Sequence, residues 1–256
     1  NRAYYGGGVF IDNGIVTNCT ITNNTAAYSG GGIYMTTGRV VQSTVMTNFA
    51  LNYDGGGIWM QSGEVLNSTI SRNVASLRNG GGIYADYRFG VISNCVISRN
   101  LALGAGYAGG VMLRSGAIYD SLIDRNYCYP NHGGGIYLNT TTRVERCVIS
   151  NNTAVGHAGG IFMAYGGVVT NCTIIQNRTI NYDGGGLYML MGELFDSLVQ
   201  SNTGRYGGGI FTYGAPTVMT SRILYNVASN RLEGYGGGVY MNGGWIDRCV
   251  IASNYC

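Results

Sequence analysis

His132, His157 and Asp183 follow one another at intervals of 25 and 26 residues, and two imidazoles with a carboxylate are a donor set that can hold a divalent metal. The corresponding residues of an earlier stretch are Tyr5, Ser29 and Asp54. The trio is therefore not part of a repeating design, and the expectation is surface turn chemistry without a metal, these three being the candidates should one bind. The 12 carboxylates are scattered. Asp54 and Asp183, like Glu64 and Glu193, stand at equivalent places far apart, and Asp120, Asp124 and Glu145 stand at non-equivalent ones. No pair is set up for acid/base work on a glycosidic bond, so no catalytic residue is assigned and an enzyme is not expected.

The seven cysteines fall into two groups. Cys19, Cys95, Cys147, Cys172 and Cys249 share a recurrent position with Ser43, Ser68, Ser121, Ser197 and Ser221, which implies a small inward side chain rather than a ligand. Cys147 and Cys172 fall in adjacent repeats, where they could touch, but no Cys-x-x-Cys zinc spacing occurs. Cys128 and Cys256 each lie two residues past a recurrent Asn. They are expected at the surface, too far apart to bridge each other, and available for cross-links between chains outside the cell. Runs of three glycines are a common phosphate-cradle signal, but here the run or its Ala-Gly-Gly variant occurs ten times. No cofactor is expected.

That recurrence organises the chain. The last Gly of each run is Gly8, Gly32, Gly57, Gly82, Gly110, Gly135, Gly160, Gly186, Gly209 or Gly238, always followed by Val, Ile or Leu. An Asn follows each: Asn24, Asn48, Asn73, Asn100, Asn126, Asn152, Asn177, Asn202, Asn226 and Asn254. Three residues before every Asn stands Ile or Val, five before it Cys or Ser, and eight before it Val, Ile or Leu. Period-2 alternation in "VTNCTI" and "GIYM" reads as strands, and no segment carries a helical stripe. The expected fold is all-β, a right-handed parallel β-helix of ten rungs of about 25 residues. At about 4.8 Å per rung, it makes a rod roughly 48 Å long. Glycines are expected to turn one corner and the asparagines another, stacked as a structural ladder. A single rung buries too little apolar surface to offset its own ordering, so each needs its neighbours.

Two residues after each corner Gly stand Phe10, Tyr34, Trp59, Tyr84, Met112, Tyr137, Phe162, Tyr188, Phe211 and Tyr240. Alternation with aliphatic neighbours places this column outside the core, as an exposed aromatic stripe. Three uses are open for it: packing against another rod or domain, stacking against sugar rings, or stabilising its own sheet.

The pairing of "GGGI", "AGGV" or "AGGI" with "ITNN", "ISRN" or "IDRN" resembles the GGAI and FxxN repeats of the chlamydial polymorphic outer-membrane proteins, with Ile or Val in place of Phe. The resemblance runs through the whole chain and implies a β-helix and a place outside the cell or at its surface. Enzymes of the pectate-lyase type share such a fold but cluster their acidic residues, which this chain does not.

A longer period of about 128 residues is also visible: "NYC" at 126–128 and 254–256, "NYDGGG" at 52–57 and 181–186, "NNTA" at 23–26 and 151–154. Residues 1–256 are therefore read as a single β-helix domain made of blocks 1–128 and 129–256. Neither end shows a cap or a signal segment, and the chain is expected to be a segment of a longer array or a stacking subunit of a fibre. Charged residues are only 11%, all 15 basic residues are Arg, and the net charge is +3. That gives no footprint for nucleic acid, and no apolar run is long enough for a spanning helix. The partners expected are further copies of the chain, end to end or side by side, or cell-surface glycans. A structural rod or filament leads, with a glycan-binding adhesin second and a polysaccharide lyase or hydrolase third.

Overall fold

The second rung shows how the sequence folds. Thr25–Ala26 forms a two-residue strand, Gly30, Gly31 and Gly32 turn the chain, Ile33–Met35 and Gly38–Val41 form two strands joined by a bend, and Thr44–Met46 leads to Asn48. Ile33, Met35, Val40, Val45 and Ala50 point inward and are fully buried, because strands present alternate residues to one face. The structure is a computed structural model and describes residues 1–230 and 235–256. Among those residues every strand pairing is parallel, in one 18-stranded sheet and two of ten strands. The chain is a parallel β-helix. Like stands on like: Ile33 pairs with Ile58, Ile58 with Ile83, and Ile83 with Val111. Among the described residues no helix is long and apolar enough to cross a membrane.

The asparagines line up along one buried corner. Each Nδ2 donates to the Oδ1 of the next, from Asn24 to Asn48 (3.0 Å) through Asn226 to Asn254 (3.0 Å). The same oxygens accept the backbone N–H of the preceding Asn, as Asn48 does from Asn24 at 3.0 Å. The ladder also takes in Asn1, whose Nδ2 donates to Asn24 Oδ1 at 3.0 Å. Before each of the ten asparagines is a non-glycine residue in the left-handed region, with φ from 52° at Arg125 to 57° at Gln176. Such residues are costly singly, but here the side-chain amide closes the bend by satisfying the backbone groups it exposes.

The glycine corner has three distinct requirements. The first place needs positive φ: Gly30 has 67°, and Ala108 and Ala158 adopt 62° and 58° in the same column. At the second place the backbone of the next corner lies against the chain, and a Cβ on Gly31 would stand 2.5 Å from the Phe49 carbonyl carbon. At the third, a Cβ on Gly57 would meet Asn73 Nδ2 at 2.8 Å. The glycine corner and the Asn ladder therefore fit each other, which is why they recur together.

The Cys and Ser column points inward as expected. Cys95, Cys147 and Cys172 are buried, with Cys249 half-buried and Cys19 exposed on the terminal rungs. Its serines link rungs: Ser68 Oγ accepts the Ser43 N–H at 3.0 Å and donates to the Leu66 carbonyl at 2.7 Å. A hydrogen bond to Cys172, followed by burial, pushes the Cys147 thiol well up.

Cys128 is not at the surface. It is fully buried between Ala102 and Ala154, and burial pushes its thiol up to about 12. The chain does not leave the core after the Asn corner but enters a two-residue strand in which Tyr127 faces out and Cys128 in. Cys256 is exposed. Its sulfur accepts the Gly237 N–H at 3.1 Å.

Candidate functional site: the aromatic face and its flanking groove

The column after the glycines faces away from the main core. Phe10, Tyr34, Trp59 and Tyr84 stack with centroids 5.2, 4.2 and 6.4 Å apart. Met112 interrupts the stack. Tyr137, Phe162, Tyr188, Phe211 and Tyr240 continue it at 5.0, 5.1, 4.8 and 4.9 Å, with interplanar angles of 14° or less. Parallel strand register brings each ring over the next, and offset stacking of this kind adds to burial.

Exposure of the stripe is far less uniform than the alternation implies. Phe10 is 55% exposed, whereas Tyr84, Phe162 and Phe211 are buried, as is Met112, and the others are half-buried. Much of the cover comes from the residues three before the corner Gly, which, where they carry a ring, lie over the stripe of the following rung. Tyr5 meets Tyr34, Tyr107 meets Tyr137, His132 meets Phe162, and His157 meets Tyr188 at 4.3 Å. Burial raises the phenol of Tyr84 to about 12 and raises that of Tyr137 as well. Where Met112 breaks the stack, Arg114 lies 3.7 Å over the Tyr87 ring and donates through Nη1 to Tyr84 Oη at 3.0 Å.

The cover column has a second task that its sequence did not disclose. Ser29 Oγ accepts the Asp54 N–H (3.3 Å), Asp54 Oδ1 that of Asn79 (3.0 Å), and Asn79 Oδ1 that of Tyr107 (2.9 Å). His132 Nδ1 accepts the His157 N–H at 2.9 Å, and His157 Nδ1 accepts the Asp183 N–H at 3.3 Å. The three metal candidates thus form one column but do not converge on a common point. Both imidazole Nδ1 atoms face backbone amides, and no cluster among the described residues is arranged for a metal. Ser, Asp, Asn and His share this column because each can offer an acceptor. Burial lowers the pKa of His132. Burial, followed by the neighbouring His132, lowers His157 to about 4.

Beyond the stripe the sheet bends, and a shallow groove of about 580 Å³ follows the bend across several rungs. Gly116, Gly167 and Gly192 leave its floor bare, Phe89 and Tyr119 are among the residues that line it, and Arg143 and Glu193 supply charge. A Cβ on Gly116 would lie 2.0 Å from the Gly90 carbonyl oxygen, so close backbone approach at the bend makes the groove. A similar groove of about 600 Å³ runs over Gly14, Gly38 and Gly63, beside the Arg39–Glu64 ion pair (2.8 Å). The recurrent Gly at this bend was the available signal in the sequence.

The nearby carboxylates pair with arginines. Asp120 accepts from Arg146 Nε at 2.7 Å, which lowers its pKa, Glu145 pairs with Arg143 and Arg146, and Asp124 with Arg125. Asp54 and Asp183, whose pKa values burial raises, lie in the cover column and do not line either groove.

With this geometry in place, two family models match the chain. That of the right-handed beta helix region matches residues 79–203, and that of the Chlamydia polymorphic membrane protein repeat matches residues 18–36. The chain is thus a right-handed β-helix whose repeat is similar to that of the chlamydial proteins. No curated protein and no solved structure matches it.

Proposed function

We propose that this chain is a surface-associated β-helical rod whose work is mechanical, and that it lies outside the cell. The observation that carries the reading is the continuity of its ladders. Hydrogen-bonded asparagines run from Asn1 to Asn254, with the aromatic stripe beside them. A stack held in register at several corners resists bending and local opening better than one held by apolar contacts alone. The surface setting is inferred from the similarity to the chlamydial repeat. Copies of the chain, end to end or side by side, are the partners this reading names, and it assigns no reaction.

Electron microscopy of the purified protein is the direct test. Rods about 48 Å long, or filaments built of them, are expected from the rung spacing; compact or irregular particles would defeat the proposal. A second reading, binding of an extended glycan, is favoured by the groove at Gly116, Gly167 and Gly192 with Phe89 and Tyr119 beside it, since aromatic rings and exposed polar groups suit sugar chains. A glycan array decides it: specific retention supports an adhesin, and a blank array leaves the mechanical role alone.

A further inference from the structure

We propose that the His132–His157–Asp183 column is an acid-sensitive latch on the aromatic face. Protonation of the two imidazoles would release the turns of three successive rungs from one another while the core stack stays closed.

The geometry fixes which tautomer works. His132 Nδ1 receives the His157 N–H, and His157 Nδ1 receives the Asp183 N–H, so both Nδ1 atoms must carry a lone pair and the proton of each neutral ring sits on Nε2. An imidazolium has no lone pair at either nitrogen. Protonation therefore removes both acceptors and turns two N–H···N contacts into repulsive pairs of donors. It also creates two cations whose ring centroids are 5.0 Å apart.

The surroundings offer little compensation to His132. Its neighbours are the rings of Tyr107, Phe162 and His157. His157 faces Tyr182 and Tyr188, and Asp183 Oδ2 lies 3.6 Å from its Nδ1. Arg205 acts on Asp183 from the next rung and carries positive charge. Asp183 Oδ1 is buried and has no hydrogen-bond partner among the described residues. A protonated His157 can turn from the Asp183 backbone to this carboxylate, which gives the latch a second resting arrangement. His132 has no such alternative, so its contact with the His157 N–H is lost outright. Burial of both rings holds them neutral until the medium is acidic.

The same column contains its own control. Asn79 accepts the Tyr107 N–H at 2.9 Å and cannot titrate, so His132→Asn with His157→Asn should keep the acceptors and lose the acid response. The test is hydrogen exchange of the full chain, corrected for intrinsic rates, at pH 7 and pH 4. In the wild type, protection of the amides of His157 and Asp183 should fall about tenfold at pH 4, the scale of one lost hydrogen bond. The Tyr107 amide, held by Asn79, should not change comparably, and in the double variant the drop should vanish. Unchanged protection of His157 and Asp183 at pH 4 in the wild type overturns the proposal whether or not the variant folds. So does an equal drop in a folded double variant.

Discussion

Asn126 and Asn152 are joined twice: the backbone N–H of Asn126 reaches Asn152 Oδ1 at 2.9 Å, and its side-chain Nδ2 reaches the same oxygen at 3.0 Å. Asn152 in turn donates to the Ile123 carbonyl at 2.8 Å and to Asn177 Oδ1 at 3.0 Å. One fully buried amide thus satisfies groups on both rungs that flank its own. Asn152→Ala removes all four bonds and leaves buried donors and acceptors unpaired. A loss of about 3–5 kcal/mol is expected, at about 1–3 kcal/mol per orphaned group with partial relaxation. Thermal unfolding followed by circular dichroism measures it, and a cost below about 1 kcal/mol would show that the ladder is not what secures the corner.

Neighbouring glycines should respond unequally to the same change. Gly133→Ala lies in the column where Ala108 and Ala158 already adopt positive φ; its Cβ would stand 2.7 Å from the Ile136 carbonyl oxygen, so the turn must shift slightly, and about 1–2 kcal/mol is expected, the scale of that conformation's cost for an L-residue. Gly134→Ala would place a Cβ 2.5 Å from the Thr153 backbone, where no side-chain rotation can relieve it. Denaturant titration of the two variants should separate them clearly, and equal stability would contradict the assigned packing of that corner.

The cysteines divide by burial. Cys256 and Cys19 should react with a thiol reagent at once under native conditions, and Cys128 only on unfolding, since its thiol is enclosed and held protonated. Cys128→Ala should be nearly neutral, because Ala102 and Ala154 occupy the same column. Mass spectrometry after timed labelling reads both. Disulfide-linked dimers through Cys128 from native protein would be inconsistent with the fold.

If the stripe chiefly stabilises its own sheet, truncation should cost more where rings are covered. Phe162→Ala should lose about 3–5 kcal/mol, as buried Phe does, and Phe10→Ala, which is 55% exposed, far less. Equal small effects in chemical denaturation would instead leave the stripe free for a partner.

Acid should destabilise the protein through His132 and His157. Their folded pKa values lie below the usual 6.5, His157 near 4, so the unfolded chain takes up protons first. Their contribution is complete above pH 6.5 and disappears as the pH falls toward 4. Asp54 and Asp183 are raised and act with the opposite sign, contributing below pH 3.8 and losing that contribution as the pH rises through their folded values. The melting temperature should therefore fall on acidification from pH 7 to pH 5, and less in the His132→Asn, His157→Asn variant. Parallel curves for the two proteins would refute this.

The pattern of residues alone determined the repeat, the parallel β-helix, the inward columns and the alignment of the asparagines, because stacking like on like writes the same residue at the same place in every rung. Ile21, Cys19 and Asn24 could be assigned from spacing. The left-handed bend before each Asn could not, since Asn23, Thr47 and Arg72 share a backbone conformation but no side-chain type. The burial of Cys128 needed the strand that follows the corner. The partial covering of the aromatic stripe, the acceptor column through His132 and His157, and the groove at Gly116 depend on contacts between neighbouring columns of the coil. Periodicity records what recurs within a column, whereas which columns touch is set by how tightly the chain turns between them, and only the tertiary structure decides that.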